Sequence, residues 1–204
     1  MATDASRHAA RMAKKKAVID AGIAQASLEK GLLLVLTGNG KGKSSSAFGM
    51  VARALGHGMK VGVAQFIKGR GTQACPSTGE EAFFGRQPGV EWHVLGEGFT
   101  WDTQNLERDI ATARRGWDVA RRLLRDPGIG LVVLDELTYL LSYGWLDTSM
   151  VLADLAARPP MQHVVITGRA ALPALVEAAD TVSDVIDVKH AYRAGVKAQA
   201  GVDL

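Results

Sequence analysis

Short apolar runs that alternate with helical stretches constrain the fold of this chain more than any other feature. Runs rich in leucine or β-branched residues lie at residues 32–36, 61–67, 90–95, 131–134, 163–167 and 181–188. Stretches with helical patterning lie at residues 43–55, 103–125, 148–157 and 171–179. Because the apolar runs lack strict alternation with polar residues, they are typical of strands covered on both faces. The pattern predicts an α/β fold, with a mostly parallel sheet of about six strands and helices on both faces.

A helix precedes this alternation. Residues 5–29 are rich in alanine, lysine and glutamine, with sparse apolar residues such as Met12 and Ile19. This composition predicts a weakly amphipathic helix. We therefore predict two parts: an N-terminal basic helical segment at residues 1–30 and an α/β domain at residues 31–204.

The charge of the chain belongs to that first segment. The net charge is +3, and residues 1–30 hold six Lys or Arg against three acids, which is 6 − 3 = +3. The rest of the chain balances, so a broad basic groove for nucleic acid is not expected. No apolar stretch approaches the roughly 18 residues needed to span a membrane. The lone cysteine, Cys75, excludes an internal disulfide and fits a reducing compartment. Asp20, Gln25 and Glu29 interrupt the stretch after the N-terminal basic residues, which is therefore no signal-peptide core, so we expect a cytoplasmic protein.

A glycine-rich loop follows the first apolar run. Residues 37–46 read TGNGKGKSSS, and Gly42, Lys43 and Ser44 fill the last three places of the phosphate-binding pattern G-x-x-x-x-G-K-[ST]. Thr37 stands where that pattern expects its first glycine. An incidental glycine-rich turn would leave the Gly-Lys-Ser order unexplained. The strand, loop and helix together predict a phosphate-binding loop.

The residue types in this loop suit a bound polyphosphate. Glycines at Gly38, Gly40 and Gly42 let the backbone turn tightly and direct N–H groups at phosphate oxygens. Lys43 would offset phosphate charge, and the Ser44 hydroxyl would join a Mg²⁺ shell. A dinucleotide-binding fingerprint is excluded, because its third glycine would fall on Lys43.

Two acids provide a second part of the predicted site. The run LVVLDE ends in Asp135 and Glu136, at the carboxyl end of a buried strand. Carboxylates at that edge of a parallel sheet lie beside the phosphate loop and can reach Mg²⁺ directly or through water. The pattern therefore predicts a Mg²⁺-nucleotide site on a P-loop NTPase-like (RecA-like) fold.

The residues alone do not select the reaction. Phosphoryl transfer needs a group that positions the nucleophile and often a cation at the γ-phosphate. Arg53, Lys68 and Arg169 are candidate cations, but none has a diagnostic spacing. A kinase, an ATPase and another transferase all remain open at this point.

Six ordered segments narrow the choice. They read TGNGKGKSSSAFGMVARALGHG, VGVAQFIKG, GFTWDTQN, VVLDELTYLL, ARPPMQHVVITGRA and ADTVSDVIDVKHAYRAGVKAQAGVDL. Together they resemble the ATP:corrinoid adenosyltransferases of the bacterial cobalamin pathway. The resemblance covers about residues 30–204, with fainter similarity through the N-terminal helix.

The resemblance implies a reaction and its alternatives. Members transfer the 5′-deoxyadenosyl group of ATP to the Co(I) centre of a corrinoid, either cob(I)alamin or cob(I)yrinic acid a,c-diamide, and release tripolyphosphate. The alternative enzyme is a RecA-like P-loop NTPase or kinase that cleaves the β–γ bond. A non-enzymatic alternative is a nucleotide-gated protein that binds a corrinoid.

The resemblance also implies roles for individual residues. Lys43 would stabilise the departing tripolyphosphate, and Ser44, Asp135 and Glu136 would hold Mg²⁺. Phe99 and Trp101 match the aromatic positions that crowd the lower face of the corrinoid and displace its lower ligand. The residues implied for ATP binding are Thr37, Gly38, Asn39, Gly40, Lys41, Gly42, Lys43, Ser44, Ser45 and Arg53.

Further expectations concern ATP orientation and partners. Proteins of this kind are understood to bind ATP in the reverse sense along the loop, and our hypothesis is that Thr37 and Gly40 permit this. The resemblance implies a homodimer. The N-terminal lysines would suit an acidic reductase such as a flavodoxin. We assign no role to His190 and expect Trp92, Trp117 and Trp145 in a core or an interface.

Overall fold

A computed structural model describes residues 4–67, 78–96 and 105–203 of the chain. The chain divides into two compact units, Met1–Lys30 and Gly31–Leu204. The first unit contains helix α1 (Asp4–Gln25), which confirms the predicted N-terminal helix but ends four residues earlier than predicted. None of the residues of α1 is buried within the chain, and its apolar side chains Val18 and Ile23 are exposed.

The second unit contains a parallel sheet. Its strands are β1 (Leu33–Thr37), β2 (Lys60–Gln65), β3 (Val90–Val94), β4 (Ile129–Asp135), β5 (His163–Thr167) and β6 (Thr181–Asp184). They lie in the order β3-β2-β4-β5-β1-β6, and every neighbouring pair is parallel. This confirms the predicted α/β fold and is consistent with a P-loop NTPase-like architecture. The prediction extended β6 to residue 188, but the strand ends at Asp184.

Helices connect the strands. They are α2 (Lys43–Gly56), α3 (Gly79–Phe84), α4 (Leu106–Arg125), α5 (Leu137–Ser142), α6 (Thr148–Ala156) and α7 (Pro173–Ala178), with a 3₁₀ turn at Ala191–Ala194. The four helical stretches read from the sequence correspond to α2, α4, α6 and α7. We did not predict α5, because LTYLL continues the apolar run that ends in Asp135 and Glu136.

The sheet is covered on both faces, as the apolar runs predicted, except at the edge strand β6, whose residues are all exposed. Side chains of β4 alternate between two cores, because successive residues of a strand point to opposite faces. Val132 and Leu134 pack in a core with residues of α4, α5, α6 and α7. Leu131 and Val133 pack in a second core with residues of α2 and α3.

The strand order brings three loops to one edge of the sheet. Strands β4, β5 and β1 are neighbours, and all run in the same direction. The segments that follow them, beginning at Glu136, Gly168 and Gly38, therefore leave the sheet side by side. Ligands bind at this carboxyl edge in open α/β sheets.

A partly buried polar contact joins α4 to α6. The indole Nε1 of the buried Trp117 donates a 2.9 Å hydrogen bond to Asp154 Oδ2, and Arg121 Nε donates one of 2.7 Å to the same oxygen. Burial raises the pKa of Asp154, but the hydrogen bonds from Arg121 and Trp117 outweigh it and hold the pKa below its ordinary value. The carboxylate therefore stabilises the folded state in its ionised form.

We expect Asp154→Ala to lower the free energy of unfolding by about 1–3 kcal/mol near neutral pH, because the buried Trp117 N–H loses its acceptor. The folded pKa of Asp154 lies below the unfolded one, so its contribution is lost as pH falls through the folded pKa. The difference in the free energy of unfolding between the variant and the parent should therefore become smaller in acid. Urea unfolding at pH 7 and below pH 4 measures both effects.

The matched control is Asp118→Ala. Asp118 Oδ1 contacts the same Arg121 at 3.0 Å, but its side chain is 71% exposed. An exposed ion pair contributes little, so this variant should change stability by less than about 1 kcal/mol. Equal losses for the two variants would contradict the role given to the Trp117–Asp154 bond.

Candidate active site

Glycine is needed at different positions of the phosphate loop for different structural reasons. Gly38 and Gly42 have φ angles of 99° and 121°, which side chains rarely adopt. Gly40 is required for close packing instead: its N–H donates a 2.6 Å bond to Val185 O, and a Cβ would lie 2.5 Å from Ile186 O. The loop is therefore held against the segment that follows β6.

The loop leads directly into helix α2. Gly42 is its N-cap, and no side chain caps the helix. The first N–H groups of α2 and its positive dipole end are thus suited to an anion.

Lys43 lies across its own loop. Its side chain is 8% exposed, and Nζ donates a 2.7 Å hydrogen bond to Gly40 O. Burial lowers the pKa of Lys43, while the charge of Glu136 opposes that shift. A bound polyanion would favour the charged form of this lysine further, because an opposite charge nearby stabilises it.

Asp135 is fixed inside the sheet. It is completely buried, and both of its carboxylate oxygens accept hydrogen bonds: Oδ1 from Thr167 Oγ1 at 2.7 Å and Oδ2 from Gln65 Nε2 at 3.0 Å. Gln65 Oε1 in turn accepts a 3.1 Å bond from Trp92 Nε1. The contacts to these side chains make Asp135 a support behind the site.

Glu136 turns out of the strand towards the loop. Its φ of 63° is left-handed, which is uncommon for a residue other than glycine. Its N–H donates a 3.0 Å bond to Thr167 Oγ1, the same hydroxyl that contacts Asp135. Thr138, two residues on, donates a 2.6 Å bond to Arg169 O and so ties α5 to the loop after β5.

These groups surround a cavity of 520 Å³. Loop residues 39–45 form one side of it. The other side carries Glu136, Arg169 and the neighbouring rings of Tyr139 and Tyr143, whose centroids are 5.9 Å apart. Burial raises the pKa of Tyr139, so its phenol stays protonated at neutral pH. Cationic and aromatic groups together suit a ligand that combines phosphates with a planar ring.

A second cavity lies on the other side of the loop. Thr37, Gly38 and Asn39 line it together with Asp184 and Asp187. The Thr37 hydroxyl accepts a 3.2 Å hydrogen bond from Ala171 N. Thr37 therefore ties β1 to the segment after β5.

The described part of the chain contains neither a membrane-spanning helix nor a cluster of metal-ligating side chains. Across residues 4–67, 78–96 and 105–203, no helix is long and apolar enough to cross a membrane. No cluster of three or more His, Cys, Asp or Glu side chains in those same ranges is arranged to hold a metal ion.

Comparison with known proteins identifies the family. Residues 29–204 match the family described as ATP:corrinoid adenosyltransferase BtuR/CobO/CobP, and residues 1–23 match the N-terminal region of cob(I)alamin adenosyltransferase. The chain belongs to the ATP:corrinoid adenosyltransferase family. It is therefore a transferase, and the resemblance read from the six segments is confirmed.

Relatives named corrinoid adenosyltransferase are similar over nearly their whole length. The protein of Pseudomonas aeruginosa is 64% identical over 97% of this chain and 96% of its own. The Escherichia coli protein is 49% identical over 97% of both chains. A Sinorhizobium protein is 44% identical over 98% of this chain and 93% of its own.

The structure brings together part of the site predicted for this corrinoid adenosyltransferase. Residues 39–45 and Glu136 line the main cavity, whereas Asp135 is buried behind it. Thr37 and Gly38 line the second cavity. Arg53 is exposed in the last turn of α2, at the far end of that helix from the loop. Lys68, Cys75, Phe99 and Trp101 lie outside the described residues.

Several lining residues were not predicted from the sequence. Tyr139 and Tyr143 carry no motif, and His190 and Asp203 lie far from the loop in the chain. Arg169 was only one of three candidate cations, and the cavity includes it. A helical reading of LTYLLSY would have placed Tyr139 and Tyr143 one turn apart, on one face.

The residues at the cavity fit Mg²⁺ by their chemistry. Mg²⁺ takes oxygen ligands and usually uses only one or two protein groups with substrate phosphates. The Ser44 hydroxyl and the Glu136 carboxylate are such groups at the cavity wall.

We expect Gly40→Ala to weaken MgATP binding by about tenfold or more, because a Cβ would displace the loop from the Val185 and Ile186 carbonyls. Isothermal calorimetry measures the affinity, and circular dichroism checks the fold. The control is Gly49→Ala in α2, where a Cβ meets no atom within 4 Å. It should bind MgATP within about twofold of the parent and gain about 0.5–1 kcal/mol of stability. Unchanged affinity in Gly40→Ala would contradict the packing argument.

Proposed function

We propose that this transferase moves the 5′-deoxyadenosyl group of ATP to the Co(I) centre of a corrinoid and releases tripolyphosphate. The observation that carries the proposal is one cavity in which the phosphate loop faces Glu136, Arg169 and two tyrosines. Membership of the family supports the substrates, ATP and a corrinoid. The comparisons do not favour an NTPase or a carrier protein.

The reaction places its main demand on the leaving group. The Co(I) electron pair forms a bond to C5′, the C5′–O bond breaks, and its electrons leave on an oxygen of the tripolyphosphate. The positive charges of Lys41 and Lys43, with the N-terminus of α2, stabilise that oxygen and its neighbours. Because Co(I) carries its own electron pair, the protein need supply no general base.

Mg²⁺ belongs to this proposal. Ser44 and Glu136 would hold the ion, and Asp135 would support them from inside the sheet. When bound, Mg²⁺ would neutralise part of the triphosphate charge. The Gln65 and Thr167 hydrogen bonds keep Asp135 in one orientation, and the Thr167 hydroxyl also positions the Glu136 backbone.

ATP orientation is a further part of the proposal. We expect the triphosphate to run in reverse along the loop, so that C5′ faces the corrinoid and not the interior. Thr37, which replaces the first glycine of the pattern, binds Ala171 N, and Gly40 packs against Ile186. A complex with the γ-phosphate at Lys43 in the usual P-loop sense would contradict this orientation.

The remaining expectations concern the corrinoid and the partners. Phe99 and Trp101 would crowd the lower face of the corrinoid, so that no donor raises the energy needed to make Co(I). The corrinoid is either cob(I)alamin or cob(I)yrinic acid a,c-diamide. A homodimer, a flavodoxin-type or other reductase and a cytoplasmic location complete the proposal.

The test of the reaction supplies ATP, Mg²⁺ and chemically reduced corrinoid. We expect tripolyphosphate and a light-sensitive Co–C product in equal amounts. ADP with phosphate would instead indicate an NTPase, and binding without products would indicate a carrier.

Replacing Lys43 by Met should lower the rate of this reaction by about 100-fold or more, because the leaving group loses its buried cation. The control is Lys60→Met, which removes the same charge from the exposed first residue of β2. Its rate should stay within about twofold of the parent. Equal rates for the two variants would argue against charge stabilisation by Lys43.

Replacing both Phe99 and Trp101 by Ala should reduce turnover from Co(II) with a reductase far more than turnover from chemically supplied Co(I). The reason is that lower-ligand displacement matters for reduction but not for the transfer that follows. Equal losses in the two assays would contradict this role.

A further inference from the structure

The segment at residues 199–203 folds back onto the phosphate loop. Asp203 Oδ1 lies 2.6 Å from Lys41 Nζ. The segment also closes on itself: Asp203 N donates a 2.8 Å bond to Gln199 O, and Asp203 Oδ2 accepts a 2.9 Å bond from Gln199 N. Val202 and Asp203 line the main cavity together with loop residues 39–45. The carboxylate is thus held at the loop by its own backbone turn.

This carboxylate faces the space that a polyphosphate would occupy. The hydrogen bond from Lys41, followed by that from the Gln199 N–H, holds the pKa of Asp203 below its ordinary value. Asp203 is therefore ionised at neutral pH. Like charges at close range repel each other. A polyphosphate bound at Lys41 would therefore be repelled by the Asp203 carboxylate.

The same geometry treats substrate and product differently. When the C5′–O bond breaks, the leaving oxygen gains negative charge, so tripolyphosphate carries more negative charge than the triphosphate of ATP. Repulsion from one fixed carboxylate grows with the charge of the ligand. Asp203 should therefore weaken the binding of tripolyphosphate more than the binding of ATP.

We propose that Asp203 competes with polyphosphate for Lys41 and so promotes release of tripolyphosphate after the transfer. The inference rests on the proposed function, because it takes the loop to be the triphosphate site. Asp203 acts here on Lys41 and on ligand affinity, and the adenosyl transfer itself does not require it.

The experiment compares ligand affinities in four proteins by isothermal calorimetry. The proteins are the parent, Asp203→Asn, Lys41→Met and the double variant. Each is titrated with sodium tripolyphosphate and, separately, with ATP, and Mg²⁺ is present in both titrations. Asn keeps an oxygen that can accept the Gln199 N–H, so the turn is preserved. Asp118→Asn is the charge control, because its side chain is 71% exposed on α4, outside the cavity.

We expect Asp203→Asn to bind tripolyphosphate about three- to tenfold tighter than the parent, with a smaller gain for ATP. Asp118→Asn should stay within about twofold for both ligands. In the Lys41→Met background, the gain from Asp203→Asn should become smaller, because the competition for Lys41 is gone and only the repulsion between the carboxylate and the ligand remains.

Two results would overturn the inference while leaving the proposed function intact. One is parent-like or weaker tripolyphosphate binding in Asp203→Asn. The other is an equal gain for ATP and tripolyphosphate, which would remove the preference for product release. A parent protein that binds neither ligand would refute the proposed function, and this inference with it.

Discussion

The hydrogen bonds of the Asp135 carboxylate are the interaction on which the rest of the site depends. They join three neighbouring strands at their carboxyl ends: Gln65 on β2, Asp135 on β4 and Thr167 on β5. Trp92 extends the connection to β3. A buried carboxylate is costly unless its oxygens are satisfied, so these contacts favour a single register at this edge. The Thr167 hydroxyl also accepts a hydrogen bond from the N–H of Glu136, so the position of the Glu136 backbone depends on the same register.

The phosphate loop has an independent support on the opposite side. Strand β6 pairs with β1, and the segment after β6 accepts the Gly40 N–H and fills the space where a Cβ would stand. The cavity therefore lies between two anchored walls, one formed from β4 and β5 and one from the loop. This arrangement suits a reaction that depends on electrostatic preorganisation, because fixed charges need not reorganise when the leaving group forms.

The sequence predicts the elements better than the contacts between them. The apolar runs predict the strands because both sheet faces are buried, and the Gly-Lys-Ser order predicts the loop. Tyr139 and Asp203 could not be predicted in this way. Tyr139 is in a short helix that continues an apolar run, and Asp203 meets Lys41 only after the sheet has formed. The identity of the reaction came from ordered resemblance, because Co(I) chemistry leaves no acid–base pattern among the residues.

The left-handed backbone at Glu136 has a consequence for how this protein can be stabilised. A residue with a side chain at a φ of 63° costs of order 1 kcal/mol or more relative to glycine. Glycine at this position would relieve that strain and remove the carboxylate from the cavity wall. A library selected only for thermal tolerance would therefore favour variants that have lost the carboxylate proposed to hold Mg²⁺. Selection for thermal tolerance in this protein must therefore be combined with selection for activity.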